Sequence, residues 1–269
     1  MKRILTFLLI SGLLTVFAFG GIEWSTSIIT TGKDKKANND ITTHTYAQGG
    51  DVKQVFEGVA KENPFNFQDG YWLFKGKSEQ IYIVNDKKKT YMVMDLDTML
   101  QAAGMAGQMV KITITDQTAN TAVLPDETIM GYSCNHFKIT TEYTMKIKVF
   151  FIKKTMRVHE EKEVWGTNDI PGIKEIGQSF MKKEYKTGFP DLDEMIQKQM
   201  EEQKKIGFPL KMITYRYDKD KKDRPQNEST TTMIVSNMAK KDFPKSMFEV
   251  PADYTETQMK EEGGNPFAK

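Results

Sequence analysis

The chain has 269 residues, of which 38 are Lys or Arg, 36 are Asp or Glu and one is Cys. A formal net charge of +2 argues against a surface built for nucleic acid, where clustered basic residues are expected. A single cysteine excludes an internal disulfide framework and a zinc site built from several cysteines. The length is compatible with one large β-rich domain or two small ones.

The first twenty residues have the pattern of a secretory signal. Lys2 and Arg3 precede an apolar run at 4–19, and Gly20 follows as a small residue suited to cleavage. The run is shorter than the roughly 20 residues that a membrane-spanning helix needs. We therefore expect cleavage after Gly20, export to the periplasm or extracellular space, and a mature chain that is not an integral membrane protein. Loss of Lys2 and Arg3 lowers the basic count from 38 to 36, equal to the 36 acidic residues.

Alternating apolar and polar residues dominate the rest of the chain and predict half-buried strands. The longest such stretch runs from Phe137 to Phe151. A strand of that length is expected to bend, to contain bulges or to wrap round a curved sheet. Residues 81–84 and 91–94 flank a charged turn and predict a hairpin. Because both parities of this hairpin are apolar, we expect helices or a ligand to cover both of its faces. Residues 51–60 fit a helix or a strand equally well.

Helical spacing of apolar residues occurs in three segments, at 96–109, 171–185 and 191–206. The third is expected to have Asp191 as its N-terminal cap and to end at Gly207. These segments predict helices that pack on the sheet.

The predicted organisation is a signal peptide at 1–20, a single β-rich domain at 21–254 and a disordered tail at 255–269. Cys134 has no partner in the chain and is expected to be a small buried apolar residue. Neither a repeat nor a linker divides the domain.

Residues with catalytic potential do not form a recognisable motif, so we expect neither an enzyme nor a cofactor. His159, Glu161 and Glu163 would share one face of a strand and could hold a metal. The preferred interpretation is an outward charged face paired with nearby lysines, and hence no metal site. A hydrolase or metal enzyme would require His136 or His159 to meet carboxylates in a cleft.

Methionine is abundant, with 17 residues in the chain. Its flexible and polarizable side chain suits an apolar surface that adapts to variable partners. An ordinary, loosely specified core explains the same content, so the sequence leaves both interpretations open.

Five segments resemble those of a known family: the hairpin 80–95, residues 130–134, the strand 137–145, residues 163–170 and residues 248–254. At these segments the chain resembles domain-of-unknown-function family 4412 of exported bacterial proteins, and more distantly the LolA/LolB-type lipoprotein carriers. The resemblance implies an α+β fold, a curved antiparallel half-barrel sheet with helices packed in its concave face. In the carriers that concavity shelters acyl chains. None of the segments is a catalytic motif, so no functional residue is transferred.

We therefore expect an exported non-enzymatic binding protein that holds a lipid or another apolar ligand in a half-barrel cavity, under helices within 171–206. Candidate lining residues are Trp72, Phe74, Tyr82, Met92, Met94, Trp165, Phe180 and Met195. The alternative is an envelope protein with a filled core that contacts another protein through its surface. A continuous apolar cavity would favour the carrier, whereas a flat exposed apolar patch would favour the interaction module.

Overall fold

The computed structural model of the chain describes residues 20–33, 39–57, 70–78, 80–95, 110–149, 152–170 and 189–257. Within these residues the fold is mostly β, with twelve strands in one open sheet and one long helix. The strands are β1 (Gly21–Gly32), β2 (Asn39–Gln48), β3 (Asp51–Glu57), β4 (Gly70–Lys75), β5 (Gln80–Asn85), β6 (Thr90–Asp95), β7 (Val110–Ile129), β8 (Tyr132–Val149), β9 (Ile152–Thr167), β10 (Phe208–Lys219), β11 (Pro225–Lys241) and β12 (Thr255–Glu256). The helix α1 spans Pro190–Ile206, and a short 3-10 helix spans Lys245–Phe248.

The strand order across the sheet is β12-β6-β5-β4-β3-β2-β1-β11-β10-β9-β8-β7. Neighbouring strands are antiparallel, except that β12 runs parallel to β6. The first strand of the domain, β1, therefore lies inside the sheet, between β2 and β11.

The long alternating stretch forms β8, as predicted, and pairs without a register shift with β9. Its other neighbour, β7, carries two register shifts, one of them at Asp116, where φ is +57°. Asn227 and Asn237 of β11 lie at two further shifts and also have positive φ. Asn and Asp tolerate this backbone conformation better than other residues that carry a Cβ atom. Bulges of this kind bend the strand and increase the twist of the sheet.

The ambiguous segment at 51–60 is a strand over Asp51–Glu57, and residues 58–60 lie outside the described part. Of the three predicted helices, those at 96–109 and 171–185 lie outside the described residues.

The third predicted helix is α1, and Gly207 follows its last residue as expected. Asp191 does not act as the predicted cap, because α1 begins one residue earlier, at Pro190. Its Oδ2 instead accepts a hydrogen bond from the backbone N–H of Ile114 on β7, at 3.1 Å. The expected α+β half-barrel is thus confirmed only in part: the antiparallel sheet is present, but the described residues place α1 alone against it.

Helix α1 defines one face of the sheet. Ile206, its last residue, packs in a cluster with Ile139 of β8 and Val164 of β9. Side chains alternate along each strand, and residues paired across neighbouring strands point to the same side of the sheet. The strand register therefore identifies the residues of each strand that lie on the same side as α1. We call this side the helix-side face, and its opposite the strap-side face.

The strap-side face of β4 to β6 is covered by residues 243–256, which we call the C-terminal strap. Val250 and Tyr254 of the strap pack around Tyr71, Leu73 and Val84. The hairpin is thus covered on this side, as predicted, but the cover is a C-terminal segment that contains only a short 3-10 helix. The first two residues of the predicted tail, in β12, pair with β6, and residues 258–269 lie outside the described part.

Hydrogen bonds along its length attach the strap to the sheet. The backbone N–H of Phe243 donates to Oε1 of Gln48 at 2.8 Å, and Lys75 Nζ donates to the carbonyl of Phe248 at 2.9 Å. The hydroxyl of Tyr254 donates to Oδ1 of Asp86 at 2.8 Å. The strap therefore connects three separate strands and turns of the sheet.

A third cluster of buried side chains includes residues of β1, β2, β8, β9, β10 and β11. Its members are Ile22, Trp24, Ala47, Cys134, Trp165, Ile170, Leu210 and Val235. Cys134 is fully buried, as predicted, and burial raises the pKa of its thiol.

Candidate functional site

The candidate site is the helix-side face of β1 to β6, where paired residues form rows across the strands. The first row is Ile22, Ala47, Val52, Phe74, Ile81 and Met94. The second row is Trp24, Thr45, Gln54, Trp72, Ile83 and Met92. The third row begins with Thr26, Thr43 and Phe56. Polarity therefore increases along the strands from the first row to the third.

The register connects these rows with the helix. Val164, Met212, Met233 and Ile28 are paired in turn across β9, β10, β11 and β1. Since Ile28 is an even number of residues from Ile22 along β1, the three rows and α1 occupy the same face.

Large apolar side chains of this face lie side by side at β3 to β6. Trp72, Ile81, Met92 and Met94 are half-buried, whereas Phe74 is buried. The rings of Phe56 and Trp72 meet edge to face, with 5.1 Å between their centroids. The register places apolar side chains next to one another in the first two rows from β4 to β6.

The predicted lining residues separate into groups. Trp72, Phe74, Met92 and Met94 lie together in the first two rows. Met195 is half-buried on α1, and Phe180 lies outside the described residues. Tyr82 lies on the strap-side face, in register with Leu73, whereas Trp165 is part of the third buried cluster, with Cys134 and Leu210. We therefore leave these two residues out of the candidate surface.

Tyr82 instead lines a small cavity between the sheet and the C-terminal strap. Its volume is about 190 Å³, below the roughly 300–1,000 Å³ typical of a small-molecule site. The other lining residues are Leu73, Lys75, Tyr91, Phe248, Glu249 and Val250. A long acyl chain would not fit within this volume.

Sequence reasoning did not select Thr43, Thr45 or Phe56, which the structure places on the helix-side face. The signal for the two threonines was the alternation within 41–47, where every second residue is Ile, Thr or Ala. Phe56 was not selected because its segment, 51–60, fitted a helix as well as a strand.

On the strap-side face, His136 lies between a tryptophan and carboxylates. Its ring stacks on Trp165 with 4.2 Å between centroids, and its Nε2 lies 2.8 Å from Oε1 of Glu163. A second carboxylate, that of Glu127, lies 3.5 Å from Nδ1. None of these residues lines the cavity described above.

His159 is placed in a similar way, farther along β9. Its Nδ1 lies 2.7 Å from Glu142 and its Nε2 3.3 Å from Glu161. Lys219 pairs with Glu142 at 2.7 Å, and Lys138 pairs with Glu161 at 2.9 Å. Glu161 has the predicted lysine partner, whereas His159 is buried and Glu163 pairs with His136. Within the described ranges no three His, Cys, Asp or Glu side chains converge as metal ligands would.

Acid should weaken this charged network. Hydrogen bonds from Lys219 and His159 lower the pKa of Glu142, and hydrogen bonds from Lys138 and His159 lower the pKa of Glu161. A carboxyl whose pKa is lower in the folded chain stabilises the fold above its ordinary pKa of 4.5. That stabilisation is lost as the pH falls through the lowered value. We expect the Tm of a Glu142→Gln/Glu161→Gln variant to fall less than that of the native sequence between about pH 5 and about pH 3.

Thermal unfolding followed by circular dichroism over this pH range measures the effect. Glu194→Gln is the matched control, because Glu194 forms an ion pair with Lys198, one turn along α1 and exposed to solvent. Parallel pH curves for the double variant and the native sequence would contradict the prediction.

The architecture defines a single-sheet β protein with an apolar helix-side face and a strapped opposite face. The chain belongs to the family described as domain of unknown function (DUF4412), whose sequence model matches residues 70–254, more than half of the chain. The matched part begins at β4 and ends in the strap that covers β4. No curated protein matches the sequence of this chain. None of the described helices is long and apolar enough to cross a membrane.

Solved structures show only a distant likeness. PNGF-II aligns at 12% identity and a TM-score of 0.36, covering 88% of this chain and 31% of PNGF-II, so the chain spans about a third of that protein. The lipoprotein LppX of Mycobacterium tuberculosis aligns at 11% identity and a TM-score of 0.30, covering 80% and 85%. A putative outer membrane lipoprotein-sorting protein domain from Vibrio parahaemolyticus aligns at 9% and 0.22, covering 86% and 89%. At these identities and TM-scores the likeness does not extend to function.

Proposed function

We propose that the mature chain is an exported, non-enzymatic carrier that binds an apolar ligand, such as a lipid acyl chain, on the helix-side face. The observation that supports this function is the set of neighbouring apolar side chains in the first two rows at β4 to β6. Burial of each methylene contributes about 0.8 kcal/mol. A chain of about 12 methylenes would therefore supply roughly 10 kcal/mol, before the cost of association is subtracted.

The chemistry of this surface suits binding more than reaction. Its large side chains, such as Trp72, Phe74 and Met94, offer neither an acid, a base nor a nucleophile. Methionine thioethers adapt to ligands of different shape, which suits a carrier of variable acyl chains. The secretory-signal pattern of residues 1–20 supports a periplasmic or extracellular location.

Lipid extraction tests the proposal directly. The mature protein is purified from its native compartment without detergent, extracted with organic solvent and examined by mass spectrometry. We expect lipid in near-stoichiometric amount, or uptake of added lipid by the emptied protein. Absence of both bound and exchangeable lipid would contradict the carrier function.

Substitutions on β6 test which face binds. Met92→Gln and Met94→Gln place an amide on the apolar surface, where it loses hydration without a defined partner. We expect each to weaken binding of a fluorescent acyl probe by about tenfold, as measured by titration. Val93→Gln is the matched control, because Val93 lies between the two methionines and pairs with Tyr82 on the strap-side face.

Val93→Gln should leave the affinity within about twofold of the native value, since a half-buried residue on the other face does not contact the ligand. Equal losses in all three variants would place the ligand elsewhere or reveal a general loss of folding. Circular dichroism of each variant separates these two cases.

A protein-interaction module remains the second candidate because two neighbouring isoleucines are exposed on the strap-side face. Ile29 of β1 and Ile234 of β11 are 43% and 45% exposed, and Ile29 pairs with Thr232, two residues before Ile234. Two side chains make a small patch, and scattered exposed apolar residues are normal in soluble proteins. The carrier is therefore the function that the geometry supports best.

A further inference from the structure

The cavity under the C-terminal strap has walls from two parts of the chain. Leu73 of β4, Tyr82 of β5 and Tyr91 of β6 line it from the sheet, and Phe248 and Val250 line it from the strap. Leu73 and Phe248 are 1% and 4% exposed, whereas the two tyrosines and Val250 are half-buried. The cavity therefore extends from the surface to fully buried side chains, and a molecule inside it would contact the sheet and the strap together.

The volume of the cavity restricts the size of such a molecule. In a protein interior, an apolar cavity of about 150 Å³ is sufficient to bind benzene. The cavity under the strap measures about 190 Å³. One aromatic ring with a small substituent therefore fits, whereas two linked rings or a long acyl chain do not.

The charged groups around the cavity restrict the charge of the molecule. The Lys75 ammonium lines the cavity and already pairs with Asp51. Glu249 lines it as well, and the partner of Glu249, Lys245, is 3.9 Å away with a side chain that is 92% exposed. A cation would meet Lys75 and an anion would meet Glu249. A neutral ring therefore has the lowest cost of burial.

Lys75 also offers a hydrogen bond to the molecule. An ammonium group carries three donors. Among the described residues, Asp51 and the carbonyl of Phe248, at 2.9 Å, accept from two of them. Since Lys75 lines the cavity, a neutral oxygen on the ring would accept from the third.

We propose that this cavity is a second binding site for a small, neutral aromatic molecule that carries one hydrogen-bond acceptor, such as a phenol. The ring lies between the tyrosines of the sheet and Val250 of the strap, and its oxygen accepts a hydrogen bond from Lys75. Because the molecule contacts both parts, its binding holds the strap on the sheet. The site lies on the face opposite the proposed acyl surface, so it does not depend on the carrier function.

Ligands that differ in size and charge test the site in the mature native protein. We expect p-cresol to bind with a Kd of about 1 mM or tighter, as measured by NMR titration. 4-Methylbenzoate and 4-methylbenzylammonium keep the ring but replace the hydroxyl with a charged group, and 4-phenylphenol adds a second ring. Each should bind at least about tenfold more weakly than p-cresol. Equal affinities for all four ligands would overturn the inference.

Filling the cavity tests its position. Val250→Phe places a ring of the protein itself in the cavity and should weaken p-cresol binding at least about tenfold. Val123→Phe is the matched control, because Val123 is 74% exposed on β7 and does not line the cavity. It should leave the affinity within about twofold of the native value. Unchanged binding by a folded Val250→Phe variant would overturn the inference.

Lys75→Met tests the hydrogen bond, with p-xylene as the second ligand because it has the shape of p-cresol without the oxygen. The ratio of the p-cresol affinity to the p-xylene affinity should fall about fivefold in this variant. A ratio of affinities cancels any general effect of the substitution on the strap. An unchanged ratio would overturn the role of Lys75 and with it the proposed class of ligand.

Hydrogen exchange read by mass spectrometry locates the bound molecule. p-Cresol should slow amide exchange in β6 and in residues 248–256, and leave exchange in β8 unchanged. Protection confined to other strands would contradict the proposed position. Failure of p-cresol to bind would overturn this site and leave the carrier function standing, since lipid extraction and the acyl probe test the opposite face.

Discussion

Gly166→Ala is expected to lower the free energy of unfolding by about 2–3 kcal/mol, because the end of α1 packs directly on this residue. A Cβ atom on Gly166 would lie 2.5 Å from the carbonyl oxygen of Ile206 and 2.6 Å from its Cγ2 atom. The side chain could rotate away, but the carbonyl belongs to the helix backbone. The last turn of α1 would therefore have to move away from β9.

Equilibrium unfolding in urea measures the change. Gly131→Ala is the control, because no atom lies within 4 Å of a Cβ atom built there. Its φ of +81° still makes alanine unfavourable, so we expect a smaller loss of about 1 kcal/mol. Equal losses at the two glycines would show that the close approach of α1 to β9 does not limit stability. The same shift of α1 should also alter the affinity for any ligand held on the helix-side face.

Phe243→Ala should release the C-terminal strap and cost about 3 kcal/mol of stability. The ring of Phe243 is buried and meets Tyr46 and Phe248 edge to face, at centroid distances of 5.6 and 6.1 Å. Truncation leaves a cavity at the point where the strap begins to cross the sheet. We expect faster amide hydrogen exchange in β6 and β12, since the strap supplies β6 with its outer partner strand.

Hydrogen exchange read by mass spectrometry compares this variant with Phe243→Leu. Leucine refills most of the space, so we expect a cost below about 1.5 kcal/mol and native exchange in β6. The prediction would be wrong if Phe243→Ala destabilised the chain while exchange in β6 stayed native, because the strap would then be held by its other contacts.

The local spacing of apolar residues was sufficient to predict the strands and helices that have one polar and one apolar face. The alternation around Ile139 and Tyr143 predicted β8, and the stripe of apolar residues at 191–206 predicted α1 to within one residue. The sequence predicted that β8 would bend, bulge or wrap round a curved sheet. The register shifts at Asp116, Asn227 and Asn237 lie in β7 and β11, where the positive φ depends on pairing as well as on sequence.

The alternation of residues could not predict which of the expected lining residues lie on which face of the sheet. Both parities of β5 and β6 are apolar, so the pattern does not indicate whether Tyr82 or Ile83 points toward the helix. Only pairing with β4 and, through β3 to β1, with distant strands settles the question. The strap was missed as a cover for the same reason, because its contacts with Asp86 and Lys89 cross more than 160 residues of sequence.

The position of β11 has a consequence for how the chain matures. Strands β6 to β1 form one half of the sheet and β10 to β7 the other, and β11 alone connects the two halves. Thr30 and Thr231, whose hydroxyls are 3.0 Å apart across this junction, are 201 residues apart in the chain. During synthesis β1 must therefore keep one edge unpaired until almost the whole domain exists, and open edges favour misassembly. We expect completion of the sheet to be the slow step of folding, and a chain that stops before β11 to consist of two half-sheets with no strand to join them.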